Sequence, residues 1–155
     1  MTPLHASAGR GHLDVSSLLL DQFPNPDMLG IFDQTPLHRI SYEGHLEVGQ
    51  LLLDRGTDVN ARDNTNWTPL YIAVKYGRVG FVRMLLDHGA AVDTPADDGQ
   101  NPLHRVSENG HVEIVWLLME HGVDLNAHDD DSITPFVMAS SYGQQEVVQL
   151  LSEYA

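Results

Sequence analysis

Nine histidines and twenty-two acidic residues supply the side chains of a metal or acid-base site, and one run, His128-Asp129-Asp130-Asp131, sets four candidate ligands side by side. A hard cation such as calcium takes about six to eight oxygens converging from a shaped loop. Consecutive residues do not all converge, so this run reads as a solvated acidic tip. The chain has neither a Gly-rich phosphate loop nor a Gly-x-Ser-x-Gly elbow. The other eight histidines share one register. His5, His38 and His104 stand three residues after Thr2, Thr35 and Asn101, while His12, His45 and His111 each follow a glycine. His88 and His121 close apolar segments, where partial positive charge suits a helix C-terminus. Histidines that recur with the chain belong to its scaffold. No catalytic residue, metal ligand or cofactor is expected.

The scaffold is visible as a spacing of 33 residues between Thr2-Pro3-Leu4-His5, Thr35-Pro36-Leu37-His38, Thr68-Pro69-Leu70-Tyr71, Asn101-Pro102-Leu103-His104 and Thr134-Pro135-Phe136-Val137. A period of that length means stacked supersecondary units, none able to bury its apolar face alone, in an open solenoid. The units run 2–34, 35–67, 68–100, 101–133 and 134–155, which predicts a single domain. An open stack offers no water-excluding cavity, which moves the expected function from chemistry to binding.

In the second unit, Thr35 before Pro36 predicts a helix N-cap with proline at the first helical position, where its missing N–H costs nothing. That helix should run from Pro36 to about Glu43 and end at Gly44, which recurs as Gly11, Gly77, Gly110 and Gly143. A second helix follows with Leu46, Val48, Leu51, Leu52 and Leu53 as its core set, recurring as Val112, Ile114, Leu117, Leu118 and Met119. Gly56, Gly89 and Gly122 close it, and a stretch rich in turn formers leads to the next cap. The unit is helix, turn, helix, long hairpin-like loop, and the fold class is all-α.

These residues together resemble the ankyrin repeat: Thr-Pro-Leu-His, Gly44-His45, Leu51-Leu52-Leu53-Asp54-Arg55-Gly56 and Asp58-Val59-Asn60-Ala61, over essentially the whole chain. The resemblance implies an adaptor or inhibitor that binds another protein through its loop tips and first helices, which form the concave face. It also marks departures. Gly49 stands where a valine-type core residue is usual, which at about 1 kcal/mol of helix propensity makes unit two a soft point. Ile40 and Val106, where the family prefers alanine, are expected to fill part of that space. Asn60 and Asn126 resemble asparagines hydroxylated in ankyrin loops, although their structural role in the turn is sufficient explanation.

Eight basic residues against twenty-two acidic ones give a formal charge of −14. Such a surface repels phosphate backbones and anionic membranes and favours a Lys/Arg-rich protein partner and a monomer. The longest apolar run, Ile114 to Met119, is too short to span a membrane, and Met1 to Ala6 lack the features of a signal peptide. An intracellular protein, cytoplasmic or nuclear, is expected, and the glycosylation triplet Asn66-Trp67-Thr68 reads as chance. Polar Gln145 and Ser152 in unit five predict a C-terminal cap, while at the other end an N-terminal truncation stays open. Two function classes remain: a stand-alone protein-binding module, and a regulatory segment of a larger protein whose activity lies elsewhere.

Positions that vary between units need no core explanation, and they fall at loop tips and the ends of first helices. They supply the candidate partner-binding set: Phe32, Tyr42, Trp67, Lys75, Tyr76, Asp97, Asp98, Glu108, Asp130, Asp131 and Tyr142. Aromatics are the usual anchors of interface hot spots, with the competing reading that each tyrosine covers the neighbouring unit. Asp58, Asp63 and Asp124 read as turn formers, whereas Asp97-Asp98 and Asp129-Asp130-Asp131 exceed that need. Phe23 holds the helix-closing glycine position of unit one, and its loop is either packed by its own apolar residues or shaped for a partner. Trp116 belongs on the outer face of its helix.

Overall fold

The computed structural model describes residues 1–154, which form ten α-helices in five pairs, one 3-10 turn at Ile31–Asp33, and no strand. The pairs are α1 (Pro3–Gly9) with α2 (Leu13–Gln22), α3 (Pro36–Glu43) with α4 (Leu46–Asp54), α5 (Pro69–Lys75) with α6 (Val79–Asp87), α7 (Pro102–Asn109) with α8 (Val112–Glu120), and α9 (Pro135–Ser141) with α10 (Gln145–Tyr154). Each first helix opens at a Thr or Asn whose side-chain oxygen accepts the N–H three residues on, with proline just inside. Glycines in the left-handed region, Gly44 at φ 88° and Gly110 at φ 76°, end α3 and α7 where a Cβ would be strained.

First helices pack on first helices and second on second, giving two layers with the core between them. Leu37, Leu70 and Leu103 from one layer meet Val48, Leu52, Phe81, Leu85, Ile114 and Leu118 from the other. Each such side chain stabilises the stack by about 1.5–3 kcal/mol.

The recurring histidines bind the units together. His5, His38 and His104 are buried, and each Nε2 donates to a carbonyl 29 residues on: Gln34 at 2.7 Å, Trp67 at 3.0 Å and Ile133 at 3.0 Å. A carbonyl only accepts, so Nε2 carries the proton. On His38, Nδ1 then accepts from the Thr35 hydroxyl and amide. Burial holds all three below the ordinary imidazole pKa, opposed by these carbonyl bonds. The tips add a second ladder, in which Asn64 donates to the Phe32 carbonyl, Asp97 to Thr65 and Asp130 to Asp98.

Two core expectations need correction. Leu46 is 46 % exposed, whereas Leu13, Val79 and Val112 in the same register pack against the core; it lies over Gly80, whose Cβ would stand 3.4 Å from its Cδ1. Leu51, Leu53, Val112 and Met119 are half-buried rather than core. The gap at Gly49 is filled by Phe81 and Met84 of the next unit, not by Ile40 or Val106: a Cβ there would meet the Phe81 ring at 2.6 Å. Unit two is therefore packed at that point. The outer side of α10 is polar, with Gln145 and Ser152 exposed. At the other end of the stack Val15 is exposed, whereas Val48, Phe81, Ile114 and Val147 in the same register are buried.

Candidate functional site

Trp67 lies in the connection just before the Thr68 cap of α5, and its backbone is held at both ends. Its N–H donates to Asp63 Oδ1 at 3.0 Å and its carbonyl accepts from His38 at 3.0 Å. Asp63 is itself a turn former, accepting also from the Thr65 amide and hydroxyl and from Gln34 Nε2. Burial raises its pKa, but these bonds outweigh it and hold the carboxyl below its ordinary value. The sequence thus spends one aspartate on fixing one tryptophan.

The Trp67 ring lies tilted against Tyr71 with centroids 5.2 Å apart, and Lys75 Nζ stands 4.0 Å from its centre. Lys75 is also 5.8 Å from the Tyr76 ring, which meets Tyr42 edge-on at 4.3 Å. Between them opens a hollow of about 230 Å³ walled by Phe32, Arg39, Tyr42, Trp67, Ile72 and Tyr76. Phe32 is 65 % exposed at the loop tip, in the left-handed region at φ 61°, with Asp33 beside it at φ 56°. Two non-glycine residues there cost about 1–2 kcal/mol each. The bond from Asn64 holds the Phe32 carbonyl at 3.0 Å. Of the apolar side chains in the first connection, Pro26 is buried and Met28 half-buried, while Phe23, Leu29, Ile31 and Phe32 face solvent. It is not packed by its own apolar residues.

Tyr71 is buried beneath this cluster, where it backs the Trp67 ring, and its supporting role was missed from sequence. It stands where other units carry the capping histidine, and its hydroxyl accepts from Arg105 Nε at 3.2 Å and Nη2 at 3.0 Å. Burial raises the phenol pKa and Arg105 opposes the rise. Arg105 also binds Glu108 and, at 3.7 Å, Asp98. Burial disfavours its charge, yet Tyr71 and Glu108 outweigh that and raise its pKa. The available signal was a tyrosine at a position that is histidine in units one, two and four and valine in unit five.

The candidate residues therefore divide. Phe32, Tyr42, Trp67, Lys75 and Tyr76 form one cluster, and Asp98 and Glu108 join it through Arg105. Tyr42 and Tyr76 do pack across units two and three, yet both stay partly exposed. Tyr142, Asp130 and Asp131 lie outside the cluster and are exposed. The acidic runs are less idle than their composition implies. Asp97 accepts from Asn66 Nδ2 at 2.6 Å, and Asp98 accepts from the Gln100 amide at 3.1 Å. Asp129 is buried and accepts from the amides of Asp131 and Ile133 at 3.1 and 2.8 Å, so it is the turn former of unit four, as Asp63 is of unit two. Asn60 bridges to the next loop, accepting from Ala91 N–H at 2.7 Å and donating to the Gly89 carbonyl at 3.3 Å. On the opposite face Trp116 is partly exposed and meets Tyr154 edge-on at 5.6 Å.

The family model for ankyrin repeats, itself three copies long, matches residues 1–63, 23–96, 58–129 and 91–155 and so spans the chain. The chain belongs to the ankyrin repeat family. No curated protein matches it at a significant level. Ankyrin repeats are generally protein-protein interaction modules, and stacked repeats of this kind bind through an extended concave surface. No described helix is long and apolar enough to cross a membrane.

Proposed function

We propose that this ankyrin-repeat protein is a non-catalytic, intracellular module that binds a partner protein on its concave face. One observation carries the reading: Phe32, Tyr42, Trp67 and Tyr76, drawn from three units, surround one open hollow. Structural need accounts for the buried rings of the stack but not for a phenylalanine held two-thirds exposed at φ 61°. Exposed Asp130 and Asp131 at the outer tip, on a chain of formal charge −14, favour basic residues at the edge of the contact. Such attraction mainly speeds association.

The test is affinity capture from native lysate with wild type and a Phe32→Ala/Trp67→Ala variant whose fold is checked by circular dichroism. A protein retained by wild type and lost by the variant supports the reading. Equal retention by both places binding elsewhere.

A further inference from the structure

Around Lys75 the acidic excess of the chain is locally cancelled: Arg39, Lys75 and Arg105 stand against Glu43, Glu108 and Asp98. Against a formal charge of −14, α5 carries no acidic side chain at all, and Lys75 at its end lies between Arg39 on α3 and Arg105 on α7. The two arginines bring their own counter-charges: Arg39 pairs with Glu43 at 3.3 Å, and Arg105 with Glu108 and Asp98. Unit three lacks both carboxylates. Tyr76 stands at the register of Glu43, and Lys75 itself stands at the register of Glu108. Among the described residues the Lys75 ammonium has neither an ion pair nor a hydrogen bond, only the faces of Trp67 and Tyr76. Partial burial and the charge of Arg105 push its pKa down, and Glu108 and Asp98 only partly oppose that.

This arrangement constrains what can sit there. A partner seated on Trp67 also covers an ammonium 4.0 Å away. Covering it without an acceptor leaves a desolvated cation unpaired, which is strongly unfavourable. An ammonium stripped of water against aromatic rings is, by the same physics, a strong site for an anion.

We infer that the partner presents an aspartate or glutamate carboxylate to Lys75, beside an apolar or aromatic side chain that fills the hollow between Phe32, Tyr42, Trp67 and Tyr76. This rests on the protein-binding reading and refines it. The partner segment is of mixed sign, acidic at its middle and basic where it passes Asp130 and Asp131.

A randomised peptide library displayed on phage tests this, selected in parallel against wild type, Lys75→Gln, Lys75→Glu and Trp67→Ala, each confirmed as folded by circular dichroism. Wild type is expected to enrich peptides with Asp or Glu at one position next to a large apolar residue. On Lys75→Glu that position should change to Lys or Arg, and a synthetic wild-type-selected peptide should bind Lys75→Glu at least about tenfold more weakly. Lys75→Gln should lose the acidic preference without gaining a basic one. Peptides that enrich on wild type and are lost on Trp67→Ala, yet show the same composition on Lys75→Glu, overturn the carboxylate site and leave concave-face binding standing. Failure of wild type to enrich any sequence overturns both.

Discussion

At the scale of single residues, Gly49 shows how a local rule gives way to packing. Helix propensity alone says that Gly49→Ala gains about 1 kcal/mol. The Phe81 ring, 2.6 Å from where that Cβ would stand, says the opposite. Gly49→Ala should destabilise by about 1–3 kcal/mol in urea unfolding, and adding Phe81→Leu should recover part of the loss. A stabilised single variant contradicts this. The deficit at Gly49 was legible in the sequence, but its filler 32 positions on was not, because register reveals which residues are equivalent and not which ring leans across. Tyr71 was overlooked for a related reason: it looked like a neutral variant of the cap motif, and only the structure places its hydroxyl 3.0 Å from Arg105. Tyr71→Phe should therefore cost about 1 kcal/mol while leaving the helix ends unchanged by circular dichroism. A stability equal to wild type would show that bond to be idle.

At the scale of elements, α3 from Pro36 to Glu43 with Gly44 as its terminator was readable because caps and breakers act over a few residues. Burial along α4 was less legible: Leu46 follows helical spacing yet is 46 % exposed, lying over Gly80, which has no side chain to cover it. The capping histidines couple this local chemistry to the stack and make it sensitive to pH. Their pKa values lie below 6.5 in the fold because burial disfavours the charged ring. Above about pH 6.5 neither state binds the proton and nothing is lost. Below it the unfolded chain takes up protons that the native rings refuse, so stability falls as pH drops. The urea midpoint should fall from about pH 6.5 downward, well above the window near pH 3.8 in which Asp63 begins to count. A flat profile between about pH 7 and about pH 5 contradicts the assignment of neutral, Nε2-protonated rings at His5 and His38.

At the scale of the whole molecule, the two-layer solenoid follows from the 33-residue register, and composition set the acidic sign of the surface. The distribution of that sign was not legible. Asp97, Asp98 and Asp129 are held by Asn66, Arg105 and backbone amides, partners fixed only by stacking. Asp130 and Asp131 remain for steering. Asp130→Asn/Asp131→Asn should slow association several-fold at low salt, with the difference shrinking as ionic strength rises, and leave dissociation unchanged. Trp67→Ala should do the reverse. The chain has only two tryptophans, Trp67 in the concave cluster and Trp116 on the outer face, which permits a direct measurement. In a Trp116→Phe protein, titrated with the partner obtained by capture, all tryptophan emission reports on Trp67. The account predicts a saturable change in that emission at one partner per chain; binding that leaves Trp67 silent, while Trp116 responds in a Trp67→Phe protein, would contradict it.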